Sequence, residues 1–328
     1  MQTILILGSN SFSGSTFADF SLRQGVRVVG VSRSAEPDRA FLPYKWNNHE
    51  NFAFHCLDLN KNLLEIMDLI QGEKPDFVVN FAAQSMVAES WSNPADWFTT
   101  NVVSTINFHD QLRRCTFLRR YVHVSTPEVY GSCTGFVGED YAFNPSTPYA
   151  VSRAAADLSL RTFHSAYNFP VVTTRAANVY GPGQQLYRII PRTILFILLG
   201  RKLQLHGGGV STRSFIHMTD VSDATWKIMH KGQDGHTYHI STSEVVSIRE
   251  LVELICFKLD VRFEDHVEVV GERMGKDSAY HLDTAKLRNE LHWGEHTLLS
   301  QGIDGCISWV KDNLEQLQYS PYDYHHKV

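Results

Sequence analysis

Apolar residues come along this chain in short unbroken runs, not in alternation. The segments 3–7, 26–31, 52–57, 75–80, 121–124 and 171–174 each read as a strand buried on both faces, the habit of a parallel sheet. Between them the apolar spacing lengthens to three and four residues. Helical patterns pass through Phe17, Phe20 and Leu22, over 62–70, from Pro94 through Val102, Ile106 and Leu112, and over 149–167. Asn93 before Pro94, with Asp96 in the first turn, predicts a capped helix start, and Arg113-Arg114 a basic helix end. Strands and helices alternate, so a doubly wound parallel α/β sheet is expected.

After residue 178 the rhythm changes. NVYGPG at 178–183 reads as a loop, 191–199 as a helix begun by Pro191 and ended by Gly200, 220–230 as a helix and 237–240 as a short strand. Ser247 and Glu250 form a capping box ahead of an amphipathic helix to 259; 267–270 suits an edge strand and 303–314 a last helix. The expected division is a Rossmann-type sheet domain over 1–178 and about 210–240, with a smaller, interleaved α+β substrate domain over 179–209 and 241–328.

Composition leaves that picture intact and excludes several roles. The 328 residues are 43% apolar and 20% charged with a net charge of −5, enough for a sizeable core and without a basic field for nucleic acid or anionic lipid. Five scattered cysteines with no CxxC pair suit reduced thiols better than a disulfide framework or a zinc site, and no metal is expected. His325-His326 read as part of a solvated tail. The start lacks the charged and long apolar segments of a signal peptide, and the longest apolar run, 194–199, is far shorter than the about 20 residues of a membrane span. A soluble cytoplasmic protein is expected, with no membrane partner.

Candidate chemistry gathers in two places. In the first, the strand over 3–7 runs into Gly8-Ser-Asn-Ser-Phe-Ser-Gly14, a helix and a second strand within about 30 residues, the arrangement that turns backbone N–H groups at a helix start toward a pyrophosphate. Ser11 stands where a glycine would complete G-x-x-G-x-x-G, and is small enough for close backbone approach. Ser32, Arg33 and Ser34 follow the second strand, with no acid at 31–34 to accept a ribose 2′-hydroxyl; Arg33 leans the NAD(P) cofactor toward NADP. Asp58 is of a type to hydrogen-bond an adenine amine, and Ala82-Ala83 leave room for a cofactor backbone.

The second place is YVHVSTPEVYG at 121–131 with PYAVSR at 148–153. Thr126 and Glu128 follow the carboxyl end of a strand, where open α/β sheets bind ligands, and Tyr149 and Arg153 share one helix face. A tyrosine near its free pKa of about 10 is a poor base at neutral pH, and a neighbouring cation lowers it. Arg188, Arg192, Arg201, Arg213 and Arg273 lie near loops where they would clamp a diphosphate.

FAAQS at 81–85, STPEVYG at 125–131, YAVSR at 149–153, NVYGPG at 178–183 and RSFIHMTD at 213–220 follow the glycine turn in order. The chain thereby resembles the extended short-chain dehydrogenase/reductases that act on nucleotide sugars, and most of all the dTDP-glucose and GDP-mannose 4,6-dehydratases. That resemblance implies oxidation at sugar C4 by NAD(P)+, loss of the C5 proton, departure of water from C6 and return of hydride to C6. Tyr149 would be the base at the C4 hydroxyl, Thr126 would bond the same oxygen, and Glu128 would move the C5 proton. Arg153 stands in place of the usual lysine, Pro127 where the dTDP-glucose enzymes carry an aspartate, and Met86 where dehydratases often carry a histidine. The resemblance assigns Gly8, Ser11, Phe12, Gly14, Ser32, Arg33, Asp58, Leu59, Ala82, Ala83, Asn101, Ser125 and Ala176 to the cofactor, with Tyr149 and Arg153. It assigns Ser85, Asn178, Arg188, Arg213 and Arg273, with Thr126, to a nucleotide-diphosphate sugar. It also implies a homodimer through a four-helix bundle built on the helices that start at Pro94 and Pro148. The rival expectations are a 4-epimerase, which needs no glutamate, and a UDP-glucuronate-type decarboxylase. A non-catalytic cofactor-binding sensor would fit the departures at Ser11, Pro127 and Arg153.

Overall fold

A computed structural model describes residues 1–271 and 281–327 of the protein. Seven strands form one parallel sheet: β1 (Thr3–Leu7), β2 (Arg27–Ser32), β3 (Phe52–Cys56), β4 (Phe77–Asn80), β5 (Arg120–Val124), β6 (Val171–Ala176) and β7 (Thr237–Ile240). Their spatial order is β3-β2-β1-β4-β5-β6-β7, so the winding reverses beside β1 and opens a crevice at the carboxyl ends of β1 and β4. Leu7 is level with both Val31 and Asn80, which puts the three strand ends at one height. The six expected strands are present, and the short strand expected over 237–240 joins the same sheet beside β6.

Burial on both faces accounts for the unbroken apolar runs. Ile4, Ile6, Val79 and Val122 pack on Phe17 of helix α1 (Phe12–Arg23) and on Ile228 of the helix Met218–Lys231. Leu5, Val29, Val78 and Tyr121 face the other way, onto Ile66 and Ile70 of α2 (Leu63–Glu73), Phe108 and Leu112 of α3 (94–112), and Leu160 of α4 (Pro148–Tyr167). Each such residue removed from water contributes about 1.5–3 kcal/mol. A separate core holds the second lobe, where Ile190 and Ile194 of α5 (Ile189–Leu198) meet Leu251, Ile255, Ile303 and Val310.

Local details depart from the sequence reading in four places. Asn93 makes no side-chain cap, and α3 is interrupted: Pro94–Phe98 passes through a π turn at Thr99–Ser104 before Thr105–Leu112. Helix α5 begins at Ile189, so Pro191 lies within its first turn, where a missing N–H leaves no gap. Asn178–Tyr180 is a strand, paired in parallel with Phe215–His217, not a loop. His326 belongs to no solvated tail, because it is half-buried against Trp97, with ring centres 4.9 Å apart. Among the described residues no helix is long and apolar enough to cross a membrane.

The glycine turn shows why Ser11 is accepted. Gly8 sits at φ 79°, and a Cβ there would lie 2.8 Å from the Ala82 nitrogen; a Cβ on Gly14 would lie 2.2 Å from the Gly8 carbonyl oxygen. No such crowding binds position 11. Ser11 is extended, caps α1 by accepting from the Gly14 N–H at 3.0 Å, and donates to the Gly8 carbonyl at 2.7 Å. Ser11→Ala should therefore lower the unfolding free energy by about 1 kcal/mol and Ser11→Gly by only a few tenths, measured by urea titration.

Candidate active site

Two cavities adjoin at the carboxyl ends of the strands and share Ser11, Ala83 and Ser85 in their walls. The smaller, about 360 Å³, is lined by the turn after β1 (Gly8, Ser11), the end of β2 (Ser32, Arg33), Asp58 and Leu59, and Ala82 and Ala83 after β4. The larger, about 600 Å³, is lined by Phe12, Ser125, Thr126, Glu128, Tyr149, Arg153, Ala176 and Asn178, with Arg188 and Arg213 from the side of the second lobe. Together they have the size and polarity of a site for two linked ligands. Two expected cofactor residues line neither wall. Gly14 packs beneath Gly8, and Asn101 is buried as a tie, its Oδ1 accepting from the Gln84 N–H at 2.9 Å and its amide donating to the Gln84 carbonyl and Ser152 Oγ at 3.0 Å. Arg273 lies outside the described residues. Arg192 and Arg201 are directed elsewhere, to Asp323 and to the face of Tyr322.

The reactive cluster is built from two helix starts. Thr126 caps the short turn Pro127–Tyr130, accepting from the Glu128 N–H at 3.3 Å, with Pro127 in the position that needs no N–H donor. Gly131 closes this turn at φ 66°, where a Cβ would meet the Asn144 carbonyl oxygen at 2.2 Å. Thr147 caps α4 through the Ala150 N–H at 3.1 Å, and Pro148 is its first residue, which brings Tyr149 into the cavity wall, hydrogen-bonded to Thr126. Burial raises the Tyr149 phenol above its ordinary pKa and Glu128 adds to this; the Arg153 charge and the Thr126 bond pull it down without prevailing. The expected depression by Arg153 is thus present but outweighed, because a phenolate loses more by desolvation than one cation returns.

Arg153 is buried and donates to the Val124 carbonyl, with His123 Nε2 at 3.4 Å; its Nε is buried without a hydrogen-bond partner. An orphaned guanidinium N–H in the wall of a cavity is a donor for a bound hydroxyl or phosphate. With the crowded glycine turn, it shows that these residues fit a dinucleotide.

Behind Arg153 lies a polar network that the sequence reading missed. Asp157 Oδ2 accepts from Arg175 Nη2 and from Ser125 Oγ, each at 2.7 Å, and Oδ1 stands 3.4 Å from His123 Nε2. Burial alone would push the Asp157 carboxyl up; the Arg175 charge and His123 outweigh it and hold it well below the usual carboxylate range. Arg175 also donates to the Tyr130 hydroxyl, which lies 2.7 Å from His239 Nε2, while Tyr121 joins His109 at 2.9 Å to His123 at 3.2 Å. One signal was available: Tyr149, Arg153 and Asp157 stand at i, i+4 and i+8 on one helix face. Two cations and one carboxylate leave the buried cluster with a net positive charge beneath Tyr149.

With this geometry the comparisons with known proteins agree. A family model described as GDP-mannose 4,6 dehydratase matches residues 5–305. The chain belongs to this dehydratase family. It is 31% identical to a dTDP-glucose 4,6-dehydratase of Xanthomonas campestris pv. campestris over 97% of this chain and 95% of that one. It is 34% identical, over 96% of this chain and 48% of the relative, to a trifunctional UDP-glucose 4,6-dehydratase/UDP-4-keto-6-deoxy-D-glucose 3,5-epimerase/UDP-4-keto-L-rhamnose-reductase of Arabidopsis thaliana. Among solved structures, a dTDP-glucose 4,6-dehydratase of Streptomyces venezuelae with NAD bound superposes with a TM-score of 0.88 at 28% identity, covering 96% of this chain and 98% of that one. The family is one of Rossmann-fold enzymes that work with NAD(P), and this chain is such an enzyme.

The network makes the fold sensitive to acid. Burial keeps His109 well below its ordinary pKa, lowers His123, and with the Arg175 charge pushes His239 down to about 3. These imidazoles stay neutral in the fold, whereas the unfolded chain protonates them near pH 6.5, so the unfolded state binds more protons below that pH and stability falls. Between about pH 7 and about pH 5.5 His109 and His239 should each cost roughly 1 kcal/mol, and His123 acts in the same direction. Urea unfolding at the two pH values measures the loss, and His109→Gln should reduce it by one histidine's share.

Proposed function

We propose that the protein is an NAD(P)-dependent nucleotide-sugar 4,6-dehydratase, a hydro-lyase, and that Thr126, Glu128, Tyr149 and Arg153 carry its chemistry. The observation behind this reading is that Glu128 shares one cavity wall with the Tyr149–Thr126 pair, so a single sugar can meet all three. The bound dinucleotide supplies the hydride acceptor at C4 and the donor at C6. Tyr149 must first lose its own proton to solvent, to a phenolate that the Arg153 charge stabilises; the phenolate then takes the C4 hydroxyl proton while Thr126 bonds that oxygen. The C4 ketone acidifies C5. Glu128 then removes the C5 proton and delivers it to the C6 oxygen as the C6–O bond breaks, so one carboxylate serves as base and then acid and water leaves; when hydride returns to C6, C5 takes up a proton from solvent. Pro127 can donate no proton, which leaves that transfer to Glu128.

Arg188 and Arg213 hold the diphosphate, Ser85 and Asn178 the sugar side, and Arg273 the nucleotide. Arg33, with no acid at 31–34, favours NADP by offering a cation to a 2′-phosphate. The substrate lobe comprises 179–209 and 241–328. Five free cysteines support a cytoplasmic setting. Incubation with a panel of nucleotide sugars, followed by product mass, tests the reading. Loss of one water is expected; loss of carbon dioxide would indicate a decarboxylase, and unchanged mass with altered configuration an epimerase. Tyr149→Phe should lose turnover by 10²-fold or more, and Glu128→Gln should be lowered about as far in water elimination while C4 oxidation survives. Full elimination by Glu128→Gln would remove Glu128 from the mechanism.

We further propose a homodimer through α3 and α4. Trp91, Phe98 and Val103 lie 59%, 37% and 56% exposed in and just ahead of α3, and Val151 and Leu158 lie 39% and 49% exposed on α4, apolar side chains that packing against a second copy would remove from water. Wild-type protein should sediment as a dimer and Val103→Glu with Leu158→Glu as a folded monomer.

A further inference from the structure

The segment 321–327 crosses from one lobe to the other. Its exposure alternates, with Tyr322, Tyr324 and His326 turned inward. The rings of Tyr322 and Tyr324 lie edge-on to Phe196 and Tyr187 of the second lobe, each pair 5.5 Å between centres. The later anchors are on the sheet lobe. His326 stacks on Trp97 at 4.9 Å with Nε2 2.7 Å from Asp96 Oδ2, and the Lys327 carbonyl accepts from Gln84 Nε2 at 2.7 Å and from Arg33 Nη1 at 3.0 Å. Tyr324 and Lys327 thereby complete the wall of the 360 Å³ cavity that begins at Gly8 and Ser11.

We infer that residues 321–327 form a strap that closes the dinucleotide cavity, so that bound cofactor departs only when the segment lifts. This rests on the cofactor reading above and adds to it a cause of retention. The chemistry needs one: hydride taken from C4 must return to C6 of the same sugar, and a cofactor lost between the two steps would strand an oxidised intermediate. The anchors are placed for the task. Arg33 follows β2 at the ribose end of the cavity, and Gln84 lies in the FAAQS segment that walls both cavities, so lifting the strap breaks contacts at the cofactor end and at the junction with the substrate site.

Linkage makes the inference quantitative. If the closed strap tightens cofactor binding, the cofactor must favour the closed strap by the same factor. The dissociation constant of NAD or NADP, whichever binds more tightly, is to be measured by calorimetry for the full chain and for a chain ended after Ser320. Hydrogen exchange of the 321–327 amides is followed in the full chain with and without that dinucleotide. Truncation should weaken binding about tenfold, and the dinucleotide should slow exchange in the segment by a matching factor. A full-length Tyr324→Ala/His326→Ala variant should weaken binding in the same direction, which guards against a truncated chain that fails to fold. Equal affinity in wild type and the double variant, or exchange that ignores the dinucleotide, overturns the strap. A full chain that binds neither dinucleotide overturns the cofactor reading and the strap with it.

Discussion

A guanidinium held out of water beneath a tyrosine is the constraint to which the centre of this structure answers. An ion placed in a protein interior loses several kcal/mol of hydration, and it stays charged there only if its surroundings are fixed and polar. Arg153 finds that setting at the end of β5, in the Val124 carbonyl and the His123 imidazole. Reaching them requires α4 to lie close on the sheet, and its inward face is accordingly small: Ala150, Ser152, Ala154 and Ala156 are all buried. The Asp157–Arg175 pair then pins the same helix to β6. A flexible lysine would ask less of its neighbours, whereas the planar fork of an arginine demands partners in one plane. Helix position, strand ends and the state of the tyrosine are therefore parts of one arrangement.

Much of this was legible in the sequence because the informative signals are local. Strands buried on both faces announce themselves as apolar runs, and Thr126, Glu128, Tyr149 and Arg153 lie within one short stretch whose order specifies how they meet. What was not legible depends on distance or on backbone geometry. Arg175 and His239 come from β6 and β7, and nothing near them in the chain indicates that they meet Asp157 and Tyr130. Asn101 looked like a cofactor ligand, but the π turn directs its amide inward to Gln84 and Ser152. The segment 321–327 is too short and too polar for periodicity to register, although its alternation of inward aromatic and outward polar residues is a strand-like signature once its partners are known.

The Tyr149 environment also separates two things that proximity of charge is often taken to join. Arg153 lies close enough to favour the phenolate, yet burial keeps the proton in place in the free protein. The cluster holds positive charge in reserve, and its effect is greatest where negative charge develops during reaction. Preorganised charge of that kind needs no rearrangement at the moment of proton transfer.

The π turn in α3 carries a consequence of another sort. One extra residue in a helix rotates everything before it by about 100° relative to everything after. Phe108 and Leu112, beyond the turn, point into the sheet core, while Asp96 and Trp97, before it, point to His326. A regular helix could not serve both directions with these residues. The turn acts as an angular offset built into a single rod, so that its first half answers to the cofactor side of the molecule and its second half to the core.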